Sequence, residues 1–315
     1  MGEHAVANDS VLIFGAAGHI SLPLARWIRY KSPETRLRLV SRSADQRQRL
    51  QVEFPDAEVI SADYLDPASM AAALEGVSAA FIVTPDFLDE QRAMEILCAE
   101  AKSTPTLRQI VRILGNLPYT KLGDIPEKWR SVGGTLTQHH VARAVLDGSG
   151  LPVTYLNMPA YLMDDLVRWS GPIREHSVLL MPYDRRHSWV DPAEVGQAAA
   201  NIILSRDDRH IGQYYDVESG YEVLRFGDVA NMLSDVLHRQ IDYNDSPETW
   251  RSMVGSRYRA MFGDHGDEYF LAFYHFEQTH EFSVRNSNVL ETLLGRPPTS
   301  LRSWMMCNAN AVLPR

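Results

Sequence analysis

The stretch that most constrains this chain is SVLIFGAAGHIS, residues 10–21. Its apolar start, Val11 to Phe14, has the composition of a strand that is buried on both faces of a parallel sheet. Gly15 then permits a tight turn, and Gly18 lets the backbone approach a ligand closely. The apolar residues that follow fit a helix packed back onto the sheet. A strand, a glycine turn and a helix in this order are typical of a βα unit that binds a nucleotide.

The chemistry of phosphate explains why this unit suits a nucleotide. The first N–H groups of a helix are unpaired and the helix dipole is positive there, so a diphosphate is stabilised at that end. We therefore predict that the phosphates of a dinucleotide contact Gly15, Ala17, Gly18, His19 and Ile20. Ser21 replaces the third glycine of the usual pattern. The glycine pattern alone is also compatible with an ordinary turn that binds no ligand.

The residue after the second strand indicates which dinucleotide binds. Residues 36–41 form the predicted strand, and Arg42 follows it directly. NAD sites usually have an acid at this place for the ribose hydroxyls, whereas an arginine accommodates the 2′-phosphate of NADP. Arg42 thus predicts NADP, the alternative being a solvated surface arginine. Asp63 follows the third predicted strand, and we expect it either near the adenine or in a turn.

Five strands alternate with helices in the first 115 residues, which predicts an α/β fold with a Rossmann-type doubly wound parallel sheet. Such sheets bind ligands at the carboxyl ends of their strands. Thr84 follows the fourth predicted strand, and Gly115 and Asn116 follow the fifth, so we place these three residues in the cofactor site. The stretch 118–134, rich in proline, glycine and charge, is predicted to be a long loop that covers that edge.

The predicted domains follow from this pattern. Residues 1–9 are expected to be a flexible N-terminus. Residues 10–157 together with about 188–218 form the predicted NADP-binding domain. Residues 158–187 and 219–315 form a smaller substrate lobe, whose C-terminal part is rich in aromatic residues and histidines. At helical spacing these side chains either form one wall of a pocket or fill the core of the lobe.

Composition excludes several classes of protein. A formal net charge of -9 argues against nucleic acid as a partner. Two cysteines, Cys98 and Cys307, give no disulfide framework and indicate a reducing compartment. No window has the length of a membrane span or the pattern of a signal peptide, so we expect a cytoplasmic protein without a membrane partner. The spacing of histidine and cysteine predicts no metal site. The sequence leaves open whether the chain forms a homodimer.

Residues 10–240 resemble the NmrA-like branch of the atypical short-chain dehydrogenase/reductases. The resemblance is carried by VLIFGAAGHIS, DYLDPASM, HVARAVLDGSGLPVTYLNMPAY, and SWVDPAEVGQAAANII followed by QYYDVES. This branch includes NADPH-dependent quinone, azo-dye and triphenylmethane dye reductases, isoflavone and lignan reductases, and redox-sensing regulators. The resemblance implies a Rossmann fold and an NADP cofactor, and it is much less specific for the substrate.

The resemblance also implies candidate catalytic residues. Ordinary short-chain dehydrogenases use a Tyr-x-x-x-Lys pair, and no tyrosine of this chain has a lysine four positions later. In several NmrA-like proteins a lysine or histidine lies 11 residues before a turn glycine, and counting back from Gly150 reaches His139. His139 is therefore expected near the nicotinamide, as a proton donor or a hydrogen-bond partner, the alternative being a structural histidine.

Two further positions lie beside the nicotinamide if the resemblance holds. Pro159 and Tyr161 match the family's sequence after the sixth strand, which implies a cofactor contact for Pro159. Tyr161 is a second candidate proton donor, followed by Tyr119 and His187.

These features together predict an NADPH-dependent reductase. It would transfer hydride to a conjugated, aromatic, quinone-like or iminium small molecule in secondary metabolism or detoxification. The absence of a Tyr/Lys pair favours such electron-poor acceptors, because they accept hydride without a protein acid. Two alternatives stay open, an NADP(H)-binding redox sensor with a regulatory partner and an isomerase or cyclase that retains its cofactor.

Overall fold

The computed structural model describes residues 9–313. Its strands, numbered along the chain, are β1 (Ser10–Ile13), β2 (Arg36–Val40), β3 (Glu58–Ile60), β4 (Ala79–Ile82), β5 (Gln109–Leu114), β6 (Val153–Asn157), β7 (Ala160–Leu162), β8 (Val178–Leu180), β9 (Arg186–Val190), β10 (Tyr214–Asp216), β11 (Val223–Arg225) and β12 (Asp242–Asn244). Its α-helices are α1 (Ser21–Lys31), α2 (Ala44–Glu53), α3 (Pro67–Leu74), α4 (Glu90–Lys102), α5 (Glu127–Arg130), α6 (Gln138–Asp147), α7 (Asp165–Arg168), α8 (Ser170–His176), α9 (Pro192–Ser205), α10 (Phe226–Leu237), α11 (Pro247–Phe262), α12 (Gly266–Thr279), α13 (Val289–Leu294) and α14 (Leu301–Val312).

The chain divides into two compact units. The first contains the described part of residues 1–114, together with 132–157 and 193–215, and the second contains the described remainder. The sequence-based boundaries assign residues 115–131 to the nucleotide-binding domain, whereas the structure groups them with the second unit. The substrate-binding role of the second unit stays a prediction.

A seven-stranded sheet forms the centre of the first unit, in the order β10-β6-β5-β4-β1-β2-β3. Strands β1 to β6 run parallel, with Ser10 of β1 opposite Arg36 of β2. Every residue of β1, β4, β5 and β6 is buried, as expected for strands covered by helices on both faces. The predicted Rossmann-type α/β fold is thereby confirmed. This topology brings the carboxyl ends of the strands to one edge.

Smaller sheets and helices make up the second unit. One sheet has the order β11-β9-β7, and β8 pairs with β12 in another. The sequence predicts a short helix over residues 162–169, but Leu162 ends β7 and the helix in this range, α7, spans only Asp165–Arg168. The predicted loop 118–134 contains a 3-10 turn, Leu122–Asp124, and the short helix α5. Strand β9 was not predicted, because its buried residues His187 and Ser188 are polar and conceal an apolar strand pattern.

The beginning of the chain is described only from Asp9. The predicted flexible N-terminus, residues 1–9, therefore lies outside the described residues except for Asp9. The Asp9 carboxylate pairs with Arg108 at 3.2 Å and with Arg206 at 2.6 Å. Between residues 9 and 313, no helix is both long enough and apolar enough to cross a membrane.

Candidate cofactor site

A cleft of about 480 Å³ opens in the first unit, where β1, β2, β3 and β4 end. Four loops supply its walls, one from the end of each strand. The lining residues are Phe14, Gly15, Gly18, His19, Ile20, Ser21, Val40, Ser41, Arg42, Ser43, Gln46, Ala62, Asp63, Tyr64, Val83, Thr84, Pro85 and Leu88. The structure thus brings together seven of the predicted cofactor residues. Ala17 is half-buried in the same turn but does not line the cleft.

The glycine turn has the geometry of a phosphate cradle. Gly15 has φ of 59°, and the Gly18 N–H donates to its carbonyl oxygen at 2.7 Å. A Cβ on Gly18 would lie 3.0 Å from that oxygen, so a side chain does not fit without a shift. Helix α1 begins with no side-chain cap at Ile20 and no acid in its first turn, which leaves its positive end available to an anion.

Ser21 occupies the place of the missing third glycine. Its side chain is buried, and its hydroxyl donates to the carbonyl oxygen of Phe14 at 3.0 Å. This hydrogen bond satisfies the hydroxyl and joins the start of α1 to the end of β1. The close approach of helix and strand is therefore retained without a glycine.

Arg42 lies on the exposed edge of the cleft. Within residues 9–313, no acidic side chain pairs with its guanidinium. The Arg47 side chain fixes the local backbone, since Nη1 donates to the carbonyl oxygens of Ser41 at 2.9 Å and Arg42 at 2.8 Å. An unpaired arginine on an ordered loop can bind a phosphate with charge-assisted hydrogen bonds.

The loop after β3 lines the next part of the cleft. The Asp63 carboxylate accepts from the Leu65 N–H at 2.9 Å, which agrees with the alternative of a turn-forming aspartate. Tyr64 stacks on Phe14 with ring centroids 4.3 Å apart, and its hydroxyl donates to the Val83 carbonyl oxygen at 2.9 Å. This aromatic pair was not among the predicted site residues. Burial raises the pKa of Tyr64 well above its ordinary value, so its hydroxyl stays protonated.

A buried ion pair is hydrogen-bonded to Thr84. Arg112 of β5 and Glu90 of α4 are 0% and 4% exposed, and Arg112 Nη2 lies 2.7 Å from Glu90 Oε1. The same nitrogen donates to Thr84 Oγ1 at 2.7 Å. The sequence signal for this pair was an arginine inside the apolar strand QIVRIL, and the sequence analysis did not use it.

His139, the first predicted catalytic residue, lies in the first turn of α6. Burial lowers its pKa well below the ordinary value, and the positive charges of Arg112 and His140 lower it further. Its Nδ1 atom is buried, with no hydrogen-bond partner in the described part of the chain. His139 is thus a neutral imidazole near pH 7, which can donate or accept a hydrogen bond but carries no positive charge.

Tyr161, the second predicted catalytic residue, belongs to a buried cluster in the second unit. We call Tyr161, Arg185, His187 and Glu277 the Glu277 cluster. The tyrosine hydroxyl donates to Glu277 and accepts from Arg185, and burial raises its pKa well above its ordinary value. Arg185 Nη2 lies 2.7 Å and His187 Nε2 lies 3.1 Å from the carboxylate. In this arrangement the Tyr161 hydroxyl is hydrogen-bonded within the cluster, which gives no support to a role as proton donor to a substrate.

The remaining predicted residues also lie in the second unit. Gly115 and Asn116 directly follow β5, and Asn116 is buried. Pro159 precedes β7, and its carbonyl oxygen accepts from the Ser188 hydroxyl at 2.8 Å. Tyr119 is exposed and its hydroxyl accepts from Arg285. Contact of these residues with a cofactor stays a prediction.

The match to a known family includes almost all of the residues that line this cleft. Residues 15–177 match the family model described as NAD(P)H-binding, which is more than half of the chain. The chain belongs to the NAD(P)H-binding family. A nicotinamide dinucleotide is therefore its cofactor, as predicted, and the cleft supplies groups that fit one: the glycine cradle, the N-terminus of α1 and the Arg42 guanidinium.

Two related proteins are reductases. The (4-alkanoyl-5-oxo-2,5-dihydrofuran-3-yl)methyl phosphate reductase of Streptomyces griseus is 26% identical over 310 residues, which are 96% of this chain and 99% of the relative. The NAD(P)H azoreductase of Xenophilus azovorans is 24% identical over 234 residues, 74% of this chain and 76% of the relative. These relatives support the predicted enzyme class, an NAD(P)H-dependent oxidoreductase.

Solved structures show the same fold. Triphenylmethane reductase of a Citrobacter species, crystallised with NADP(H), superposes with a TM-score of 0.74 at 18% identity and covers 95% of this chain and 99% of its own. NmrA, described as a negative transcriptional regulator, has a TM-score of 0.67 at 16% identity and covers 95% of both chains. The predicted NmrA-like resemblance is confirmed at the level of the fold.

Proposed function

We propose that this protein is an NADPH-dependent reductase of conjugated, electron-poor small molecules. The observation that carries the choice of coenzyme is Arg42 at the edge of the cleft that holds the glycine turn, since its guanidinium has no acidic partner among the described residues. NADPH carries a 2′-phosphate that NADH lacks, so Arg42 distinguishes the two coenzymes by charge-assisted hydrogen bonds.

The acceptor class is proposed from the relatives and from the chemistry of the described residues. Three similar proteins are named as reductases of an unsaturated lactone, of an azo compound and of triphenylmethane dyes. Each is a conjugated system that takes up hydride at an electron-poor centre. Bound NADPH supplies that hydride.

In this proposal the residues of the chain bind and orient the coenzyme and the acceptor. The cradle of Gly15 and Gly18 holds the diphosphate, and Arg42 holds the 2′-phosphate. His139, being neutral, offers a hydrogen bond but not a proton from an imidazolium. A conjugated acceptor suits such a site, because its negative charge is delocalised after hydride uptake and needs no strong acid beside it.

The coenzyme assignment is tested by Arg42→Asp. The substitution removes the phosphate ligand and adds a negative charge, so KM for NADPH should rise at least about tenfold, while KM for NADH changes little or falls. Steady-state kinetics with both coenzymes measure the change. Arg49→Gln, which removes an exposed arginine of α2 outside the cleft lining, is the control and should leave the preference unaltered. An unchanged ratio of the two KM values in Arg42→Asp contradicts the assignment.

The reductase activity is tested by the loss of NADPH absorbance with a panel of unsaturated lactones, quinones and azo dyes. Turnover with at least one class is the expected result. Tight NADPH binding without turnover of any class would instead support the redox-sensor alternative, in which the protein reports the state of its cofactor to a partner.

A further inference from the structure

The Arg112–Glu90 pair is the strongest feature of the first unit that the proposed function does not use. Both side chains are taken out of water, and a pair of this kind commonly stabilises a fold no better than apolar residues of similar volume. Two of its atoms, Arg112 Nε and Glu90 Oε2, also lack a hydrogen-bond partner among the described residues. Stability alone therefore does not explain the pair.

The Arg112 guanidinium joins the carboxyl ends of β4 and β5. Its Nη1 donates to the carbonyl oxygens of Ile113 at 2.7 Å and Ile82 at 3.3 Å, while Nη2 binds both Glu90 and Thr84. Ile82 is the last residue of β4, so these bonds fix the segment that follows directly and lines the cleft. On the other side of that segment, the Tyr64 hydroxyl holds the carbonyl oxygen of residue 83.

The Thr84 hydroxyl can donate a hydrogen bond in addition to the one it accepts. Because its oxygen accepts from Arg112, its own O–H points elsewhere, and no acceptor for it is found in residues 9–313. Thr84 is 7% exposed and lines the cleft. A hydroxyl that accepts a bond from a cation becomes a stronger donor. Its proton is therefore available to a group bound in the cleft.

We propose that Arg112, held in place by Glu90, is a positioning residue that fixes the Thr84 hydroxyl as a hydrogen-bond donor to an acceptor oxygen of the bound dinucleotide. This inference rests on the proposed function only in that the cleft takes NADPH. According to this inference, the buried pair increases the affinity for the cofactor. Thr84 and Arg112 are predicted to act through the same hydrogen bond, the one that the Thr84 hydroxyl donates to the dinucleotide.

The experiment measures two quantities, the Kd for NADPH by calorimetry and the melting temperature of the cofactor-free protein. Thr84→Val should raise Kd about tenfold, and Thr84→Ser, which keeps the hydroxyl, should stay within about threefold of wild type. The double variant Arg112→Met with Glu90→Leu should remain folded, since the paired charges are removed together, and should also raise Kd about tenfold. Thr84→Val added to the double variant should weaken binding no further.

Thr154→Val is the matched control. Thr154 is also buried in this sheet, and its hydroxyl donates to the His210 carbonyl oxygen at 2.7 Å, but it does not line the cleft. We expect a lower melting temperature and an unchanged Kd. Wild-type affinity in Thr84→Val, or in the folded double variant, overturns the inference. If the double variant does not fold, an equal Kd for NADPH in Thr84→Val and Thr84→Ser still overturns the inference. A wild-type protein that does not bind NADPH would overturn the proposed function itself.

Discussion

His139 is the residue whose charge the structure constrains most directly. Its imidazole is largely removed from water, and Arg112 contributes a like charge, so the folded protein resists adding a proton there. The unfolded chain takes up that proton near the ordinary histidine pKa. Stability is therefore lost as the pH falls below about 6.5, and no loss from this residue is expected above it.

His139→Gln tests this effect. Because the unfolded state of the wild type gains a proton more readily than the native state does, its free energy of unfolding should fall by up to about 1.4 kcal/mol between pH 7.5 and pH 5.5 through this residue alone. The variant should lack that part of the acid loss. Chemical denaturation at several pH values measures the difference. His176→Gln, at an exposed histidine of α8, is the control and should keep the wild-type acid loss. Equal losses in His139→Gln and wild type would contradict the burial of this residue.

The Glu277 cluster shows a limit of prediction at the same scale. Tyr161 was selected by a family resemblance. Its hydroxyl, however, is held by Arg185 and Glu277, which lie 24 and 116 positions away in the chain. Burial alone would raise the pKa of Glu277, but the charge of Arg185 holds it below its ordinary value. Contacts over such distances in sequence leave no local pattern.

At the scale of elements, α1 and α9 are the helices that support the glycine turn. Gly196 of α9 lies so close to α1 that a Cβ there would be 2.4 Å from the Ile20 carbonyl oxygen and 2.9 Å from the Leu24 nitrogen. The Trp27 indole of α1 also donates to the Asn201 side chain of α9 at 2.9 Å. Helix α9 thus fixes the first turn of α1, where the phosphates are proposed to bind.

We expect Gly196→Ala to lower the free energy of unfolding by about 3 kcal/mol, because the added methyl group meets backbone and not a flexible side chain. Urea denaturation measures the loss. The control is Gly171→Ala in α8, where no atom of residues 9–313, apart from its chain neighbours and the backbone of its own helix, lies within 4 Å of an added Cβ. That change should be neutral or stabilise by up to about 1 kcal/mol, since alanine favours a helix more than glycine does. A Gly196→Ala protein as stable as wild type would show that the two helices do not pack this closely.

The elements of the first unit could be predicted from the sequence because their signals are local. The sequence predicts helices over residues 67–74 and 90–102 and a strand over 109–114, and α3, α4 and β5 have these bounds. In the second unit, β9 and the pairs β7–β9 and β8–β12 depend on partners distant in sequence. Helices α11 and α12 contain many of the aromatic residues of the C-terminal part of the lobe. Trp250, Tyr258 and Tyr274 are buried, as expected for a lobe core, and Trp250, Tyr258 and Phe262 also line a pocket, so both expectations are met in part.

The candidate site was predictable to the same degree. The glycine turn, Arg42 and Thr84 follow strands directly, so topology alone brings them to one cleft. Arg112 of β5 and Tyr64 after β3 hold the segment around Thr84 by hydrogen bonds. They come from other parts of the chain, so these contacts could not be predicted from the sequence.

At the scale of the whole molecule, the two units divide the expected tasks. The first unit contains the glycine turn, which lies within the family match, and it also contains the cleft and His139. The coenzyme is proposed to bind in this unit. The second contains the Glu277 cluster and the aromatic helices, and it is the predicted source of substrate contacts.

The most direct test of this account is calorimetric titration of the folded wild-type protein with NADPH and, separately, with NADH. The account predicts one site per chain and a Kd for NADPH at least about tenfold below that for NADH, because Arg42 binds a phosphate that only NADPH has. Equal affinities would contradict the role of Arg42, and an absence of heat with both coenzymes would contradict the assignment of the cleft.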